Sequence, residues 1–430
     1  MPNSNYNLEE QLREDRRIGK ARRRKQRFHR MVPVLILLLL TAVGIYLLLT
    51  AVGIYLLRPD EDTQETEPVT ETVPPVSCVA TLSFVGDISL DVAAMDSFRT
   101  ENGYDFTNLF RKIVPRLAMA DLTVGNLEGS VTGEISDHCY PPELLQALYN
   151  AGFDVLQTAN SYTIQNGITG LRSTKQAIQA AGMDALGTWI SEDDRKENSV
   201  LIRDVNGIRI AFLSFTKGMN NLRLPVGAEF SVNLLYTDYD TNYSKIDNSA
   251  ILNAVEEARM QNPDLIVAML HWGSEFDRQV AESQEEIAEL LFDNGVNLII
   301  GSHSHYVGSI ILKDKEGINY GKKLIAYSLG DFVSTADNSE ARNGCILSVT
   351  VVKDRGNTTI SNLSYIPTYS AAPSSELETK DYEVLDTLGA ISFYKQGYYD
   401  RVSDTLYDQL LSAIEDLKEQ TELPDNIEKK

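Results

Sequence analysis

Two apolar runs in this sequence end in histidine, and this arrangement restricts the fold more than any other feature. Residues 265–270 are followed directly by His271, and residues 296–300 are followed by His303 and His305 in the segment GSHSH. Short, continuous apolar runs are typical of buried parallel strands. Parallel strands bring the residues at their carboxyl ends to one edge of a sheet, where open α/β sheets bind ligands. The sequence therefore predicts a metal-binding imidazole cluster at a sheet edge.

Short apolar runs alternate with amphipathic segments through the rest of the chain, which predicts an α/β fold. Strands are predicted at residues 80–85, 122–125, 155–159, 265–270, 296–300, 324–328, 346–352 and 359–366, and as a hairpin at 200–215. Helices are predicted at residues 107–120, 141–151, 168–181, 249–261 and 280–294. Because no helix separates the last three strands, we expect them to be antiparallel. The pattern favours a mixed α/β (α+β) sandwich, in which two sheets lie between layers of helices.

The N-terminal part of the sequence predicts a membrane anchor. Residues 1–30 form a basic arm with ten Lys or Arg and four acidic side chains, and residues 31–57 are apolar and uncharged. A run of this length spans a bilayer as one helix, and its basic flank stays in the cytoplasm. We expect a single-pass signal anchor in the cell membrane, with the main domain extracellular. A cleaved signal peptide is the alternative.

Three segments follow the anchor. Residues 58–77 are rich in Asp, Glu, Thr and Pro and predict an extended acidic stalk. Residues 78–370 carry the strands and form the predicted main domain, while residues 371–430 predict a C-terminal helical segment that packs against it. Beyond residue 30 the chain has 29 basic and 57 acidic side chains, a net charge of −28. This charge argues against nucleic acid as a partner, and a polyanionic substrate would need bound cations or a local basic patch.

Side chains with ligand atoms follow most of the predicted strands. They are Asp87, Asn126, Glu128, Asn160, His271, Glu275, His303, His305 and Asp331. Carboxylates and an amide neutralise and orient cations, while neutral imidazoles are donors that suit Zn, Mn and Fe. Two such ions activate water and polarise the bond that the water attacks. The sequence thus predicts a dinuclear site, with Glu275 and Asp331 as ligands or as groups that orient imidazoles.

Each of these residues also has a purely structural interpretation. Asp87 follows a strand, where a turn or helix cap is common, and the amides fit loop caps. His271 fits a buried core histidine beside Trp272. The spacing of His303 and His305 is the stronger ligand signal, because alternate residues of an extended strand face the same side.

Between residues 80 and 370 the sequence contains, in this order, the segments FVGDISL, DLTVGNLEGSVT, PPELLQALYNAGFDVLQTANSYTIQNGITGL, VNGIRIAFLSFT, LHWGSEF, NGVNLIIGSHSHYVG and AYSLGDFV. They resemble the CapA family of capsule and poly-γ-glutamate biosynthesis proteins. The resemblance implies a calcineurin-like metallophosphatase fold of the αββα type, exported on a membrane anchor. It implies partners among anionic polymers or their precursors and the membrane subunits of a polymer synthase. It also implies two divalent metal ions, Mn, Fe or Zn, bound by Asp87, Glu128, Asn160, His271, His303 and His305.

Two positions depart from the family pattern. Where the family has Asn-Asn-His, this chain has Asn-Ser-Tyr at 160–162, and where the family has Gly-His-His-Pro-His, Ser302 replaces the first histidine. Tyr162 therefore stands where an imidazole would act as a general acid or stabilise the transition state. A phenol, with a pKa of about 10, is a poor acid at neutral pH. His138 is an alternative source of an imidazole in space.

Two functional hypotheses remain. In the first, the extracellular domain acts on an anionic polymer, or on its lipid-linked or phosphorylated precursor, by metal-assisted hydrolysis or transfer; Tyr162, Glu275 and Asp331 are then the candidate catalytic side chains. In the second, the domain is a non-catalytic scaffold that binds polymer or partner membrane proteins, and Tyr162 and Ser302 mark a degenerate site. A plain calcineurin-like phosphodiesterase fits less well. Such enzymes have Asp-x-His in their first motif, whereas this chain has Asp87-Ile88-Ser89 at that position.

Overall fold

The computed structural model describes residues 77–313, 323–420 and the pair 428–429. The predicted basic arm and membrane anchor, and the predicted stalk apart from its last residue, lie outside these ranges. Within the described ranges, no helix is both long enough and apolar enough to cross a membrane. The described residues group as one compact unit.

The larger sheet has nine strands among the described residues, and its centre is parallel. Strands are numbered β1 to β17 in chain order, and this sheet contains β1 Cys78–Ile88, β4 Leu122–Leu127, β5 Val155–Gln157, β6 Asp184–Leu186, β13 Asp331–Val333, β14 Asn343–Asp354, β15 Asn357–Ala371, β16 Glu383–Asp386 and β17 Glu428–Lys429. Their order is β16-β15-β14-β1-β4-β5-β6, with β13 beside β1 and β17 beside β15. Strands β1, β4, β5 and β6 run parallel, whereas β14, β15 and β16 pair antiparallel.

The smaller sheet has six strands in the described part of the chain, in the order β11-β12-β10-β9-β8-β7. These are β7 Leu201–Val205, β8 Ile208–Thr216, β9 Leu265–His271, β10 Leu298–Ser302, β11 Ile310–Lys313 and β12 Lys323–Ala326. The predicted hairpin is confirmed, since β7 and β8 pair around Asn206 and Gly207, both in the left-handed conformation that a two-residue turn of this type requires. A separate two-stranded ribbon is formed by β2 Arg99–Thr100 and β3 Gly103–Tyr104.

Helices cover the outer faces of both sheets. Those described are Val92–Ser97, Thr107–Arg111, Val114–Leu117, Pro142–Ala151, Gly167–Ala180, Glu192–Glu197, Asn248–Met260, Glu282–Asp293, Thr387–Lys395 and Asp404–Gln420, with 3-10 turns at Glu229–Ser231 and Ser339–Arg342. One apolar core lies between the sheets and joins Phe84 of the larger sheet to Phe212 of the smaller. Two other cores hold helices against the outer faces. The layers are therefore helix, sheet, sheet, helix, as expected for a mixed α/β sandwich.

Two expectations about these elements were wrong. Strand β12 belongs to the smaller sheet and lies parallel to β10, so that of the last three predicted strands only β14 and β15 form an antiparallel pair. The helix predicted at 107–120 is two short helices, because Pro115 lacks an N–H and its ring clashes with the carbonyl four residues earlier. The C-terminal segment contains β16 as well as helices, and β16 extends the larger sheet beside β15.

A close backbone approach at Gly86 positions the end of β1. The Asp87 N–H donates to the Gly330 carbonyl at 3.0 Å. A Cβ atom at Gly86 would lie 1.8 Å from that same oxygen, so only glycine fits. This contact brings Asp87 opposite Asp331 in the pairing of β1 with β13.

Candidate metal site

The carboxyl ends of parallel strands from both sheets meet at one edge, where they bring the predicted ligands together. The larger sheet and the loops after it supply Asp87, Asn126, Glu128, Asn160 and Asp331, and the smaller sheet supplies His271, His303 and His305. All but His305 are at most 4% exposed to solvent, and the His305 side chain is 15% exposed. A polar cluster this deeply buried is expected to be stable only if its groups are paired or bind a ligand.

The carboxylate of Glu128 is the least satisfied group in this cluster. Its side chain is 1% exposed, and neither carboxylate oxygen has a hydrogen-bond partner within the described residues. His271 lies beside it, with its Nε2 3.5 Å from Glu128 Oε1. Leaving a buried carboxylate without partners is costly. A cation between these atoms would remove that cost, so the residues fit the predicted metal ions.

The ligand atoms form two adjacent groups that share one carboxylate. Glu128, His271 and His303 each offer an atom within 4.8 Å of the others, and so do Asp87, Glu128 and His305. The rings of His271 and His303 are in contact, with centroids 4.4 Å apart. Five of the six predicted ligands therefore lie in an arrangement that suits two neighbouring cations bridged by Glu128.

Asn160, the sixth predicted ligand, lies in the hydrogen-bond network that holds Asp87. Asn126 Nδ2 donates to Asp87 Oδ1 at 2.7 Å, and Asn160 Nδ2 donates to Asn126 Oδ1 at 3.0 Å. The backbone N–H of His303 donates to the other oxygen, Asp87 Oδ2, at 3.0 Å. Asn160 Oδ1 accepts from the Tyr162 N–H, which leaves that oxygen one lone pair for a cation.

Two serine hydroxyls that the sequence did not assign to the site contact His271. Ser161 Oγ lies 3.0 Å from its Nε2, and Ser302 Oγ lies 3.1 Å from its Nδ1. The sequence comparison treated Ser302 only as the loss of a family histidine. In the structure its hydroxyl orients the imidazole of His271. Both serines could have been found from their position, because each stands at or just after the end of a parallel strand.

His303 and His305 do not alternate along a strand. Strand β10 ends at Ser302, and both histidines have a left-handed φ, 97° and 60°. The turn sends them to different ligand groups instead of to the same face. Asp331 Oδ1 accepts a hydrogen bond from His305 Nδ1 at 2.9 Å, which orients this ring and leaves its Nε2 for the site.

Burial and mutual repulsion raise the pKa values of the acids in the cluster. Burial, together with the charge of Asp331, raises the pKa of Asp87 to about 6. Burial, together with the charge of Asp87, raises the pKa of Glu128 well above its usual value. The pKa of Asp331 is also raised by burial, although His305 opposes this shift. A divalent cation would counter the same repulsion and hold these groups ionised.

The three imidazoles divide into two neutral rings and one charged ring. Burial lowers the pKa of His271 and of His303 well below the usual value, which keeps both in the neutral form that binds metals. Burial also disfavours charge on His305, but the carboxylate of Asp331 outweighs it and raises the pKa of His305 to about 10. Three acidic groups therefore share the metal-free cluster with one imidazolium, and His305 would have to release its Nε2 proton to bind a cation.

The ion pair of His305 and Asp331 predicts how the stability of the metal-free protein depends on pH. The pKa of His305 is about 10 in the folded state and about 6.5 when unfolded, so the folded state keeps a proton that the unfolded state loses. The contribution is complete below about pH 6.5 and is lost as pH rises toward 10, with a slope of up to about 1.4 kcal/mol per pH unit. Urea unfolding in EDTA between pH 7 and 9.5 measures this slope.

Asp331→Asn is expected to flatten this pH dependence. The matched control is Asp337→Asn, which removes an exposed carboxylate from the wall of the neighbouring cavity and should keep the slope of the unchanged protein. Equal slopes for the unchanged protein and Asp331→Asn would contradict the role of the ion pair.

A cavity of about 330 Å³ borders the cluster at His305 and Asp331. Tyr162 lines it and stacks on His138, with ring centroids 3.7 Å apart and 13° between the planes. Burial raises the pKa of Tyr162, so its phenol stays protonated, and burial lowers the pKa of His138. Glu275 also lines the cavity, is exposed, and makes no hydrogen bond to an imidazole in the described structure.

The chain was compared with protein families and curated proteins. The profile of a family described as "Bacterial capsule synthesis protein PGA_cap" matches residues 81–336. The chain is 28% identical over 281 residues to "Capsule biosynthesis protein CapA" of Bacillus anthracis, over 61% of this chain and 63% of that protein. It is 25% identical over 281 residues to "PGA biosynthesis protein CapA" of Bacillus subtilis (strain 168), over 63% of this chain and 67% of that protein. The match thus spans less than two thirds of the first relative's length.

A solved structure described as a novel phosphatase of Mycoplasma pneumoniae aligns with 76% of this chain and 100% of its own, at 12% identity and a TM-score of 0.44. A likeness this distant carries no argument about the reaction. The family profile, in contrast, covers more than half of the chain, and it agrees with the resemblance of the motifs to the CapA family. The curated relatives of this chain include proteins named CapA. The chain belongs to the bacterial capsule synthesis family PGA_cap.

Proposed function

We propose that this protein takes part in the biosynthesis of a capsule or poly-γ-glutamate-type polymer, and that its described domain is a metal-dependent hydrolase or transferase. Its substrate is an anionic polymer or a phosphorylated precursor of one. The names of the relatives support the process. The observation that carries the chemistry is the buried Glu128 carboxylate, which lacks hydrogen bonds and is shared by two groups of metal-ligand atoms.

The donor set suits two divalent cations of the Mn, Fe or Zn type, because it combines neutral imidazoles with carboxylates. Such ions, when bound, lower the pKa of water and stabilise negative charge that develops on the bond being broken. Glu128 would contact both ions, His271 and His303 one of them, and Asp87 and His305 the other.

The surrounding side chains hold these ligands in place. Asn126 and the His303 N–H occupy one oxygen each of Asp87. Asp331 orients His305, and the hydroxyls of Ser161 and Ser302 contact the two nitrogens of His271. Partners of this kind fix the tautomer and the direction of a ligand and maintain metal affinity.

For location, the proposal is that residues 31–57 cross the cell membrane once, with the basic arm inside and the domain outside. The apolar run and the asymmetric charge of its flanks support this topology. A domain held at the outer surface could contact both the emerging polymer and the membrane subunits that make or export it.

A second candidate function is a non-catalytic scaffold that binds polymer or partner subunits. One observation favours it: the phenol of Tyr162 lines the cavity, and its raised pKa makes it a weak acid at neutral pH. In that case the metal ions would serve to stabilise the fold.

Metal analysis combined with a turnover assay separates these functions. Full-length protein, purified in detergent and loaded with Mn²⁺, Fe²⁺ or Zn²⁺, is expected to retain close to two ions per chain and to cleave members of a panel of phosphoesters and polyglutamates. His303→Asn should abolish turnover, whereas Glu134→Gln, an exposed change outside the site, should not. Protein that takes up no metal would overturn the proposal, and protein with two ions but no turnover would favour the scaffold.

A further inference from the structure

The cavity beside the metal-ligand cluster has a wall rich in hydrogen-bond acceptors. The carboxylates of Asp91, Glu275 and Asp337 line it together with Asp331 of the cluster. Glu275 and Asp337 are exposed, and neither has a hydrogen-bond partner within the described ranges. No lysine or arginine of the described chain lines this cavity, and its one charged imidazole, His305, is paired with Asp331. A second anionic group would therefore be repelled here, while a hydroxyl or other donor would find acceptors.

His138 adds a neutral acceptor to the same wall. Its Nδ1 lies 3.3 Å from the carbonyl oxygen of Glu128 and 3.5 Å from the Ser89 hydroxyl, which can also accept. A carbonyl only accepts, so Nδ1 carries the hydrogen of the neutral ring, and Nε2 is left as a lone-pair acceptor. Nε2 has no protein partner in the described part of the chain, although the ring lines the cavity.

The position of this ring is well defined. It stacks on Tyr162, and the backbone of His138 has a left-handed φ of 56° in a loop where Ser130 and Cys139 form a bridge. Residues other than glycine adopt this conformation infrequently, and it is held here by the surrounding loop. The loop and the stack together present an imidazole to the cavity next to His305 and Asp331.

We infer that this cavity binds the alcohol portion of a phosphorylated substrate, that this portion carries hydroxyl groups, and that His138 Nε2 accepts a hydrogen bond from one of them. The inference rests on the proposed function, since it takes the phosphoryl group to lie on the cations, and of the two substrates proposed there it selects the phosphorylated precursor. His138 is then a positioning residue that selects substrates by a donor near the reacting bond. A substrate portion with further carboxylates is selected against by Asp91, Glu275 and Asp337.

The preference of the cavity for hydroxyl groups can be tested without turnover, by measuring how three phosphonates bind to the metal-loaded, full-length protein. Isothermal titration calorimetry is carried out with propylphosphonate, 2,3-dihydroxypropylphosphonate and 2-carboxyethylphosphonate. We expect the dihydroxy compound to bind about 10-fold more tightly than the propyl compound, as one or two net hydrogen bonds allow. The carboxyethyl compound should bind more weakly than either.

His138→Asn removes Nε2 but keeps a residue that tolerates the left-handed backbone. It is expected to weaken binding of the dihydroxy compound by about 5- to 10-fold and to leave that of the propyl compound unchanged. Glu134→Gln, in the same loop but outside the cavity, is the matched control. Tyr162→Leu, which removes the stacking partner, should reproduce part of the selective loss if His138→Asn does not fold, as judged by circular dichroism and metal content.

The outcomes separate this inference from the proposed function. Binding of none of the phosphonates would contradict the phosphoryl site itself, and the inference would fall with it. Equal binding of all three would overturn the inference alone. A preference for the dihydroxy compound that survives both His138→Asn and Tyr162→Leu would overturn the role of His138.

Discussion

Replacing Glu128 with glutamine is expected to remove both metal ions and, in the absence of metal, to stabilise the protein. Glu128 belongs to both ligand groups, so loss of its charge should lower the affinity for each ion by at least about 100-fold. This is the upper end of the range for losing a residue that only supports a ligand. In the metal-free protein the same carboxylate is buried without a hydrogen bond. Burial and the charge of Asp87 raise its pKa, so at neutral pH folding either buries this charge or binds a proton that the unfolded chain has released. Glutamine avoids this cost and should raise the free energy of unfolding by about 1–3 kcal/mol.

The measurement is a pair of urea titrations, one in EDTA and one with excess metal, together with the metal content per chain. Unchanged protein should gain stability on adding metal, by about 2.7 kcal/mol when the metal is at 100 times its dissociation constant, and Glu128→Gln should gain none. Glu275→Gln is the control, since this exposed carboxylate lies nearby but in neither ligand group, and it should stay within about 0.5 kcal/mol. A Glu128→Gln protein that retains both ions would refute the bridging role. A variant that is less stable than the unchanged protein without metal would refute the cost assigned to the buried carboxylate.

The strands that end at the site could be predicted because buried strands have a recognisable local composition. Strands β9 and β10 are covered on both faces, so residues 265–270 and 296–300 are apolar without interruption. Strand β13, with three residues, has no such signal. It pairs with β1 where Gly86 allows the Gly330 carbonyl to approach closely, and a contact between residues so distant in the chain leaves no local pattern.

The candidate ligands were predictable as a set but not in their division into two groups. That division depends on the turn after β10, where His303 and His305 adopt left-handed conformations. Few residues other than glycine do so, and the spacing alone suggested two rings on one face. The Ser161 hydroxyl was not predicted as a partner of His271, because it follows a strand of the larger sheet and its contact with the smaller sheet depends on how the two sheets pack. Ser302 is different, because it pairs directly with His271 at the ends of β10 and β9, and only its register was missing from the prediction.

The position of His138 beside the site could not be predicted from the sequence. Its segment has no periodicity, and only the loop between Ser130 and Cys139 brings its ring to Tyr162. The sequence raised His138 as an alternative imidazole, and the structure places it on the cavity wall as a neighbour of the cluster and outside both ligand groups. Its proximity to the site therefore follows from tertiary packing alone.

The division of the two histidines gives a sharp expected result for their asparagine variants. His303 belongs to the group of Glu128 and His271, and His305 to the group of Asp87 and Glu128. Each single variant, His303→Asn or His305→Asn, should therefore lower the metal content from about two ions per chain to about one. The double variant should retain close to none. Asparagine is the matched replacement at both positions because it tolerates the left-handed backbone that both histidines adopt.

Elemental analysis after gel filtration measures these stoichiometries, with circular dichroism to show that each variant is folded. The single variants distinguish two sites from one, because a single shared ion would be lost completely in either of them. Ser304→Ala, between the two histidines but outside both ligand groups, is the control and should keep about two ions. If both single variants lose all metal, the two groups form one site; if the double variant keeps an ion, a ligand outside these groups holds it. Only the sequence of two, one and none fits two cations bridged by Glu128.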